Sequence, residues 1–352
     1  MSRDAVVGAG LRVSAAETAA MDRALDLARS APAHGPNPRV GCVLLDATGR
    51  VLGQGWHAGA GSPHAEAVAV AAARAAGEEL RGASAVVSLE PCNHTGRTGP
   101  CTELLLDAGV ARVVYAVSDP DPFAAGGAER LRAAGVEVVD GVRAAAGAQL
   151  LRVWLHAVRT GRPFVTVKLA TSLDGRVAAA DGSSRWITSS ESRAHAHAVR
   201  AEVDGIAVGT GTALIDDPAL TARTSAGDVA AHQPLRVVVG HRDLPAGAKL
   251  RGGGGELVQL RTHDIGEVLR VLAARRVRHL LVEGGPRLVG AFWRAGVVDE
   301  VHAYIAPLLL GAGPAGVGDL GVTSIDGAAR LHTRYVERLG PDVLLVATKE
   351  ED

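Results

Sequence analysis

Short apolar runs recur along the whole chain, separated by stretches in which Ala and Leu return at helical spacing. In the first half, residues 14–30 predict a helix: Ser14 can cap it, and Glu17 stands three residues on, the spacing of a capping box. His34-Gly35-Pro36-Asn37-Pro38 is a loop, because two prolines and a glycine forbid further helix. Residues 40–45 predict a strand, Thr48-Gly49 a turn, and Val51-Leu52 the strand that follows. Ser62-Pro63 opens an Ala-rich helix reaching about Ala76, with Pro63 suited to its first position. Residues 85–89, 113–117 and 135–139 predict strands, and Gly99-Pro100 opens a helix over 101–108. Strands alternating with helices in this way imply a layered α/β domain with a largely parallel sheet.

The pattern turns helical over 144–162 and breaks at Gly161-Arg162-Pro163. This divides the chain into a first domain, 1–147, a connecting helix, 148–161, and a second domain, 162–352. Strands are predicted again at 164–169, 205–208, 235–239, 279–282 and 301–305. Arg251-Gly252-Gly253-Gly254-Gly255 reads as a flexible surface loop without chemistry. No internal repeat relates the two halves.

Two domains suit a chain of 352 residues. Apolar residues make up 47% and charged ones 21%, which suits a globular chain rather than a disordered one. Aromatic residues are only 3%, so the cores must be filled by Ala, Val and Leu, and base-stacking platforms are scarce. A net charge of -1 leaves no footprint for a polyanion, and no nucleic-acid partner is expected. No apolar run reaches about 18 residues and the N-terminus lacks a basic-then-apolar leader, so no membrane partner and a cytoplasmic location are expected. The three cysteines suit metal binding or core packing better than a disulfide framework.

Two of those cysteines carry chemistry. His64, in Pro63-His64-Ala65-Glu66, joins Cys92 and Cys101, each preceded by proline, to supply one imidazole and two thiols. Such donors suit Zn2+, one ion per chain, and three protein ligands leave the fourth tetrahedral position for water. Zinc acidifies that water towards neutrality. His64 and Glu66 are about 200° apart around a regular helix and would face opposite ways within one. At a helix start both can reach one pocket. Glu66 is then the catalytic acid–base, moving a proton from water to the ring nitrogen and the leaving amine. The pattern is that of zinc deaminases, with eight residues between the cysteines where the short signature has two. Cys42, inside an apolar strand, reads as core.

Gly35-Pro36-Asn37-Pro38-Arg39-Val40-Gly41-Cys42, Ser62-Pro63-His64-Ala65-Glu66 and the stretch from Leu89-Glu90-Pro91-Cys92 to Gly99-Pro100-Cys101 resemble the bifunctional riboflavin-biosynthesis deaminase/reductase family. The resemblance covers nearly the whole chain. That family deaminates a diaminohydroxy-phosphoribosylaminopyrimidine, then reduces the ribose of the product to a ribityl chain with NADPH. The resemblance implies two three-layer α/β domains, the first cytidine-deaminase-like and the second dihydrofolate-reductase-like. The partner is then a small phosphoribosyl pyrimidine, and a homo-oligomer, dimer or tetramer, is expected. Asn37, His57, His94 and Arg97 would hold the pyrimidine and its phosphoribosyl tail; an Asn amide can pair with a base edge and a guanidinium can clamp a phosphate.

In the second half Gly209-Thr210-Gly211-Thr212 follows a strand, but Leu214 breaks the dinucleotide fingerprint. His279-Leu280-Leu281-Val282-Glu283-Gly284-Gly285-Pro286 reads as a strand, two glycines and a Pro-started helix, a turn able to cradle a phosphate. The segments 168–175, 184–188, 216–223 and 283–285 match the same family's reductase half. That match implies that Ala170, Trp186, Thr212, Asp216 and the turn Gly285, Pro286, Arg287, Leu288, Val289, Gly290 and Ala291 line the NADPH site. It implies that Ser184, Arg200, Leu220, Arg223 and Glu283 face the substrate, with Lys168 a further polar contact. Two positions depart from the family. Gly240-His241 stand where Asp-Ser is common, near the expected adenosine end of the cofactor, where His241 could meet a 2′-phosphate; Leu308 stands where Lys is common. The nearest alternative is therefore an active deaminase with a weak or repurposed reductase half acting on a related pyrimidine. A tRNA-directed deaminase would need the short cysteine spacing and a basic stripe, and a structural zinc clip would need a fourth ligand.

Overall fold

Both bonds of the capping box form: Ser14 Oγ accepts from the Glu17 N–H at 3.1 Å, and Glu17 Oε2 accepts from the Ser14 N–H at 2.8 Å. They start helix α1 (Ala15–Arg29) of the computed structural model, in which residues 12–94 and 99–349 are described. The chain divides into two units, Met1–Thr160 and Gly161–Asp352.

In the first unit α1 is followed by β1 (Gly41–Leu45), β2 (Val51–Trp56), α2 (Ala65–Ala75), β3 (Ser84–Val87), α3 (Cys101–Asp107), β4 (Arg112–Tyr115), α4 (Gly127–Ala133), β5 (Glu137–Val139) and α5 (Ala144–Thr160). The five strands form one sheet in the order β2-β1-β3-β4-β5. The expected largely parallel sheet is corrected to a mixed one: β1 runs antiparallel to β2 and β3, while β3, β4 and β5 are parallel. The turn at Thr48-Gly49 explains this, since a hairpin joins neighbours only in antiparallel fashion.

Alternate residues feed two cores. Cys42, Leu44, Ala85, Val87, Val113 and Tyr115 pack under α2, α3 and α4, whereas Val43, Leu45, Val86 and Val114 pack under α1. With both faces covered, the strands read as unbroken apolar runs, and the unit has three layers. The helix expected as a connector adds Leu151, Trp154 and Leu155 to the first of these cores. Helix α4 has no counterpart in the sequence-based expectation.

The second unit holds β6 (Phe164–Ser172), α6 (Ser190–Glu202), β7 (Gly205–Gly209), α7 (Thr210–Ile215), β8 (Leu235–Val239), β9 (Leu257–Leu260), α8 (Ile265–Ala274), β10 (His279–Val282), α9 (Pro286–Arg294), β11 (Glu300–Ala306), β12 (Leu331–Leu339) and β13 (Asp342–Lys349). The sheet order is β12-β13-β11-β6-β10-β7-β8-β9, parallel from β11 to β9 and antiparallel at β13 and β12. Helices α8 and α9 cover one face; α6 and Ala213 of α7 pack on the other. Val165 and Val167 point into the core under α8 and α9, so Lys168 emerges on the α6 face. No helix among the described residues is long and apolar enough to cross a membrane.

Candidate active sites

His64, Cys92 and Cys101 offer ligand atoms that all lie within 4.8 Å of one another, the one such group of three among the described residues. His64 Nδ1 is 3.2 Å from Cys101 Sγ and 3.5 Å from Cys92 Sγ. Ligands of a tetrahedral zinc stand about 3.5–3.8 Å apart at usual bond lengths, so the donor set fits the ion. His64 is the N-cap of α2, in extended backbone, and the helix begins at Ala65. The expectation that Pro63 is its first residue is therefore corrected by two positions. That shift brings His64 and Glu66 into one pocket, because His64 lies off the helix and the 200° separation does not apply.

Cys101 opens α3, and its backbone N–H donates to Cys92 Sγ at 3.5 Å. The hydrogen bond from the Cys101 thiol lowers the Cys92 thiol well below its ordinary value, and the same bond pushes Cys101 up. The direction at Cys92 favours the thiolate form that a zinc ligand needs. Glu66 is buried at 3% exposure, and burial pushes its carboxyl up to about 7. A carboxyl near that value both takes and gives protons at neutral pH.

His57 is buried beside this group, its ring centroid 5.5 Å from that of His64. Its Nδ1 faces the Pro63 carbonyl at 3.0 Å and so carries the hydrogen, which leaves Nε2 to accept from Asn37 Nδ2 at 2.8 Å. Burial lowers the His57 pKa, keeping the ring neutral in that tautomer. The structure thus brings Asn37 and His57 together next to the His64, Cys92 and Cys101 cluster. His94 is half-buried, and its Nδ1 has no hydrogen-bond partner among the described residues. Arg97 lies outside the described residues. Cys42 is fully buried in the core, and burial pushes its thiol up.

Sequence reasoning missed Glu90. Its buried carboxylate accepts from the backbone N–H of Asp119 at 3.1 Å and of Ala128 at 2.9 Å. Two residues before Cys92, it ties the ligand loop to the first turn of α4, where the helix dipole favours a carboxylate. A Glu-Pro-Cys sequence carries no local sign of such distant partners.

In the second unit Arg200 grips Glu283 with two bonds, Nε to Oε1 at 2.7 Å and Nη2 to Oε2 at 2.8 Å. Lys168 Nζ lies 3.6 Å from Glu283 Oε2. Burial alone would raise the Glu283 carboxyl, but the Arg200 charge and then Lys168 outweigh it and hold it at about 2. Arg200 Nη1 donates to the Thr221 carbonyl at 3.1 Å, and His197 Nδ1 lies 3.1 Å from the same oxygen. All three Arg200 nitrogens are thus engaged within the protein. The His197 contact was not foreseen, since nothing in Ala196-His197-Ala198 distinguishes it from a solvated histidine.

Other expected residues fall into separate contacts. Thr212 Oγ1 accepts from the Gly285 N–H at 3.1 Å, joining α7 to the turn after β10. Arg185 donates to the Asp216 carbonyl at 2.6 Å, and Trp186 is 68% exposed under the Arg193 guanidinium at 4.4 Å. Ala170 sits on β6 opposite Tyr304. Leu220 is buried in the core, so it can offer a ligand its backbone alone. Leu288 and Val289 are buried by α9 packing, which leaves Gly285, Pro286 and Arg287 as the accessible part of that turn; Gly290 is buried and Ala291 packs against the core. No hydrogen bond, ion pair or ring contact joins Ser184, Arg223 or His241 to these groups among the described residues; His241 instead meets His263 at 4.9 Å.

The profile of a family described as cytidine and deoxycytidylate deaminase zinc-binding region matches residues 14–117, and that of the RibD C-terminal domain matches 163–345. The riboflavin biosynthesis protein RibD of Mycobacterium tuberculosis is 52% identical over 313 residues, 88% of this chain and 90% of that protein. The chain belongs to the RibD family. The Escherichia coli RibD is 39% identical over 360 residues, covering 92% of this chain and 97% of its own. Among solved structures, a diaminohydroxyphosphoribosylaminopyrimidine deaminase/5-amino-6-(5-phosphoribosylamino)uracil reductase from Thermotoga maritima superposes with a TM-score of 0.87 at 31% identity, over 95% of this chain and 99% of that one. Acinetobacter baumannii RibD gives 0.86 at 35% identity, over 96% and 99%. As a member of the RibD family, the chain is a bifunctional deaminase and reductase of riboflavin biosynthesis, with a cytidine-deaminase-like first domain and a dihydrofolate-reductase-like second one.

Proposed function

We propose that residues 1–147 hydrolytically deaminate 2,5-diamino-6-(5-phosphoribosylamino)pyrimidin-4-one, and that residues 162–352, joined through 148–161, reduce the ribosyl group of the product to ribityl. The observation that carries the first step is the convergence of His64, Cys92 and Cys101 beside a buried Glu66. Zinc held by those three side chains supplies the Lewis acidity that brings water towards deprotonation at neutral pH. Glu66 takes one proton from water and gives it to the ring nitrogen, then takes the second from the hydroxyl of the tetrahedral adduct and gives it to the departing amine, which leaves as ammonia. Asn37 and the neutral His57 orient the pyrimidine, with His94 and Arg97 towards the phosphoribosyl tail.

For reduction, NADPH supplies the hydride, directed to C1 of the opened sugar. Lys168 and Glu283, with Arg200 bracing Glu283, present a fixed row of charge on the α6 face. Ser184, Arg223 and the Leu220 backbone complete the substrate side. Ala170, Trp186, Thr212, Asp216, His241 and the Gly285 turn form the cofactor side. At the Gly285 turn Thr212 Oγ1 already takes the Gly285 N–H and Pro286 brings none, so a phosphate held there relies on Arg287 and the start of α9. One zinc per chain, a homo-oligomeric state and a cytoplasmic location complete the reading. Metal analysis and light scattering check the first two.

The deciding experiment is mass spectrometry of the product formed from the diamino substrate with and without NADPH. Loss of the amino group without NADPH, and a further gain of two hydrogens with it, is the expected result. Deamination without NADPH oxidation, even with the deaminated intermediate supplied, would leave the repurposed-reductase reading. No deamination at all would defeat the assignment of the first unit.

A further inference from the structure

Arg236, on β8, is 2% exposed and is among the largest fully buried side chains. No carboxylate pairs with it among the described residues, and burial lowers its pKa. A buried charge without a counter-ion is expensive, and an apolar side chain would fill the same space at lower cost. Its two Nη groups instead hold main-chain oxygens, while Nε has no hydrogen-bond partner among the described residues. Nη2 reaches the carbonyls of Gly252 at 3.0 Å and Gly255 at 2.6 Å, and Nη1 reaches that of Ala219 at 3.4 Å. The four-glycine stretch that reads as an inert surface loop is thus a carbonyl cradle for a buried guanidinium.

Ala219 belongs to a strained turn. Asp217 and Leu220, neither of them glycine, have φ of 40° and 53°. Such residues cost about 1–3 kcal/mol each and persist where their surroundings over-determine them. The surroundings here are specific. Lys249 N–H donates to Asp217 Oδ1 at 2.8 Å, Arg236 holds Ala219, and Gln233 brackets Ala222 by accepting from its N–H and donating to its carbonyl, both at 2.9 Å. Between these clamps stands Thr221, whose carbonyl receives Arg200 and faces His197.

We propose that Arg236 is a positioning residue of the reductase site, holding through main-chain carbonyls the strained turn whose Thr221 oxygen orients Arg200 and His197. The inference rests on the reading of Arg200, Leu220, Arg223 and Glu283 as the substrate side. Glycine at 254 belongs to the same device: a Cβ there would stand 2.4 Å from Thr221 Cγ2.

The test compares Arg236→Met, Arg236→Lys, Gly254→Ala and Arg200→Ala in the full chain, with the deaminated intermediate as substrate. Arg236→Met is expected to raise KM for that substrate roughly tenfold, the worth of one hydrogen bond to a charged group. NADPH affinity, read by fluorescence titration, and the deamination rate should stay unchanged. Arg236→Lys should recover part of the KM, and Gly254→Ala, which crowds Thr221 and the carbonyl cradle while keeping the guanidinium, should raise it. If Arg236→Met does not fold, Gly254→Ala carries the same test. An unaltered KM in Arg236→Met and Gly254→Ala, while Arg200→Ala raises it, overturns the positioning role and leaves the site standing. A joint fall of kcat and NADPH affinity with the rise in KM reduces Arg236 to a structural residue. A KM insensitive to Arg200→Ala overturns the site reading itself.

Discussion

A Cβ on Gly127 would stand 1.8 Å from the carbonyl oxygen of Pro91, so the first turn of α4 lies directly against the loop that delivers Cys92. Glu90 tightens the same contact by accepting the Ala128 N–H. A metal site depends on such outer contacts to hold its ligands, and their loss commonly lowers metal affinity about 10–100-fold. Gly127→Ala should therefore weaken zinc binding by that order while leaving the second unit folded. Competition with a chelator measures it, and unchanged affinity would mean that the loop tolerates displacement.

Glu66→Gln preserves shape and removes the proton carrier. Zinc content should persist, and deamination should fall by about 10²–10⁴-fold, the usual worth of general acid–base catalysis. Metal analysis paired with ammonia release separates the two. Deamination near the parent rate would show that another group moves the proton.

Glu283 makes stability depend on acid. Its carboxyl is held at about 2, below the ordinary carboxylate value. The stabilisation is thus fully present above about pH 5 and is lost as pH falls towards 2, by an amount on the order of 3 kcal/mol. Denaturant titration of the second unit between pH 3 and 7 should show this decline. In Glu283→Gln the acid dependence should flatten, with lower stability at neutral pH because Arg200 stays buried without its partner.

Gly240 stands where the family commonly has Asp, and its φ is 125°. A Cβ there would lie 2.9 Å from Thr210 Oγ1. Gly240→Asp should destabilise the second unit by about 1–3 kcal/mol. A matching shift in its denaturation midpoint checks this, and a stabilised variant would show that the strand end relaxes freely.

Much of the molecule was legible along the chain. The capping box at Ser14, the strand positions at 235–239 and 279–282, and the grouping of His64 with Cys92 and Cys101 all follow from local periodicity and residue chemistry. Strand β12 and helix α6 did not, because their patterns are weak: β12 is largely exposed and α6 is mostly polar, burying few residues.

The amino-acid sequence by itself singled out His64, Cys92 and Cys101 as a group the fold brings together, since donor type and spacing near helix starts are local properties. Only the tertiary structure decided how those groups are held. The partners of Glu90, the bidentate grip of Arg200 on Glu283, and the carbonyl cradle of Arg236 join segments 16–83 residues apart. Such bonds depend on which strands become neighbours, and no local pattern records that.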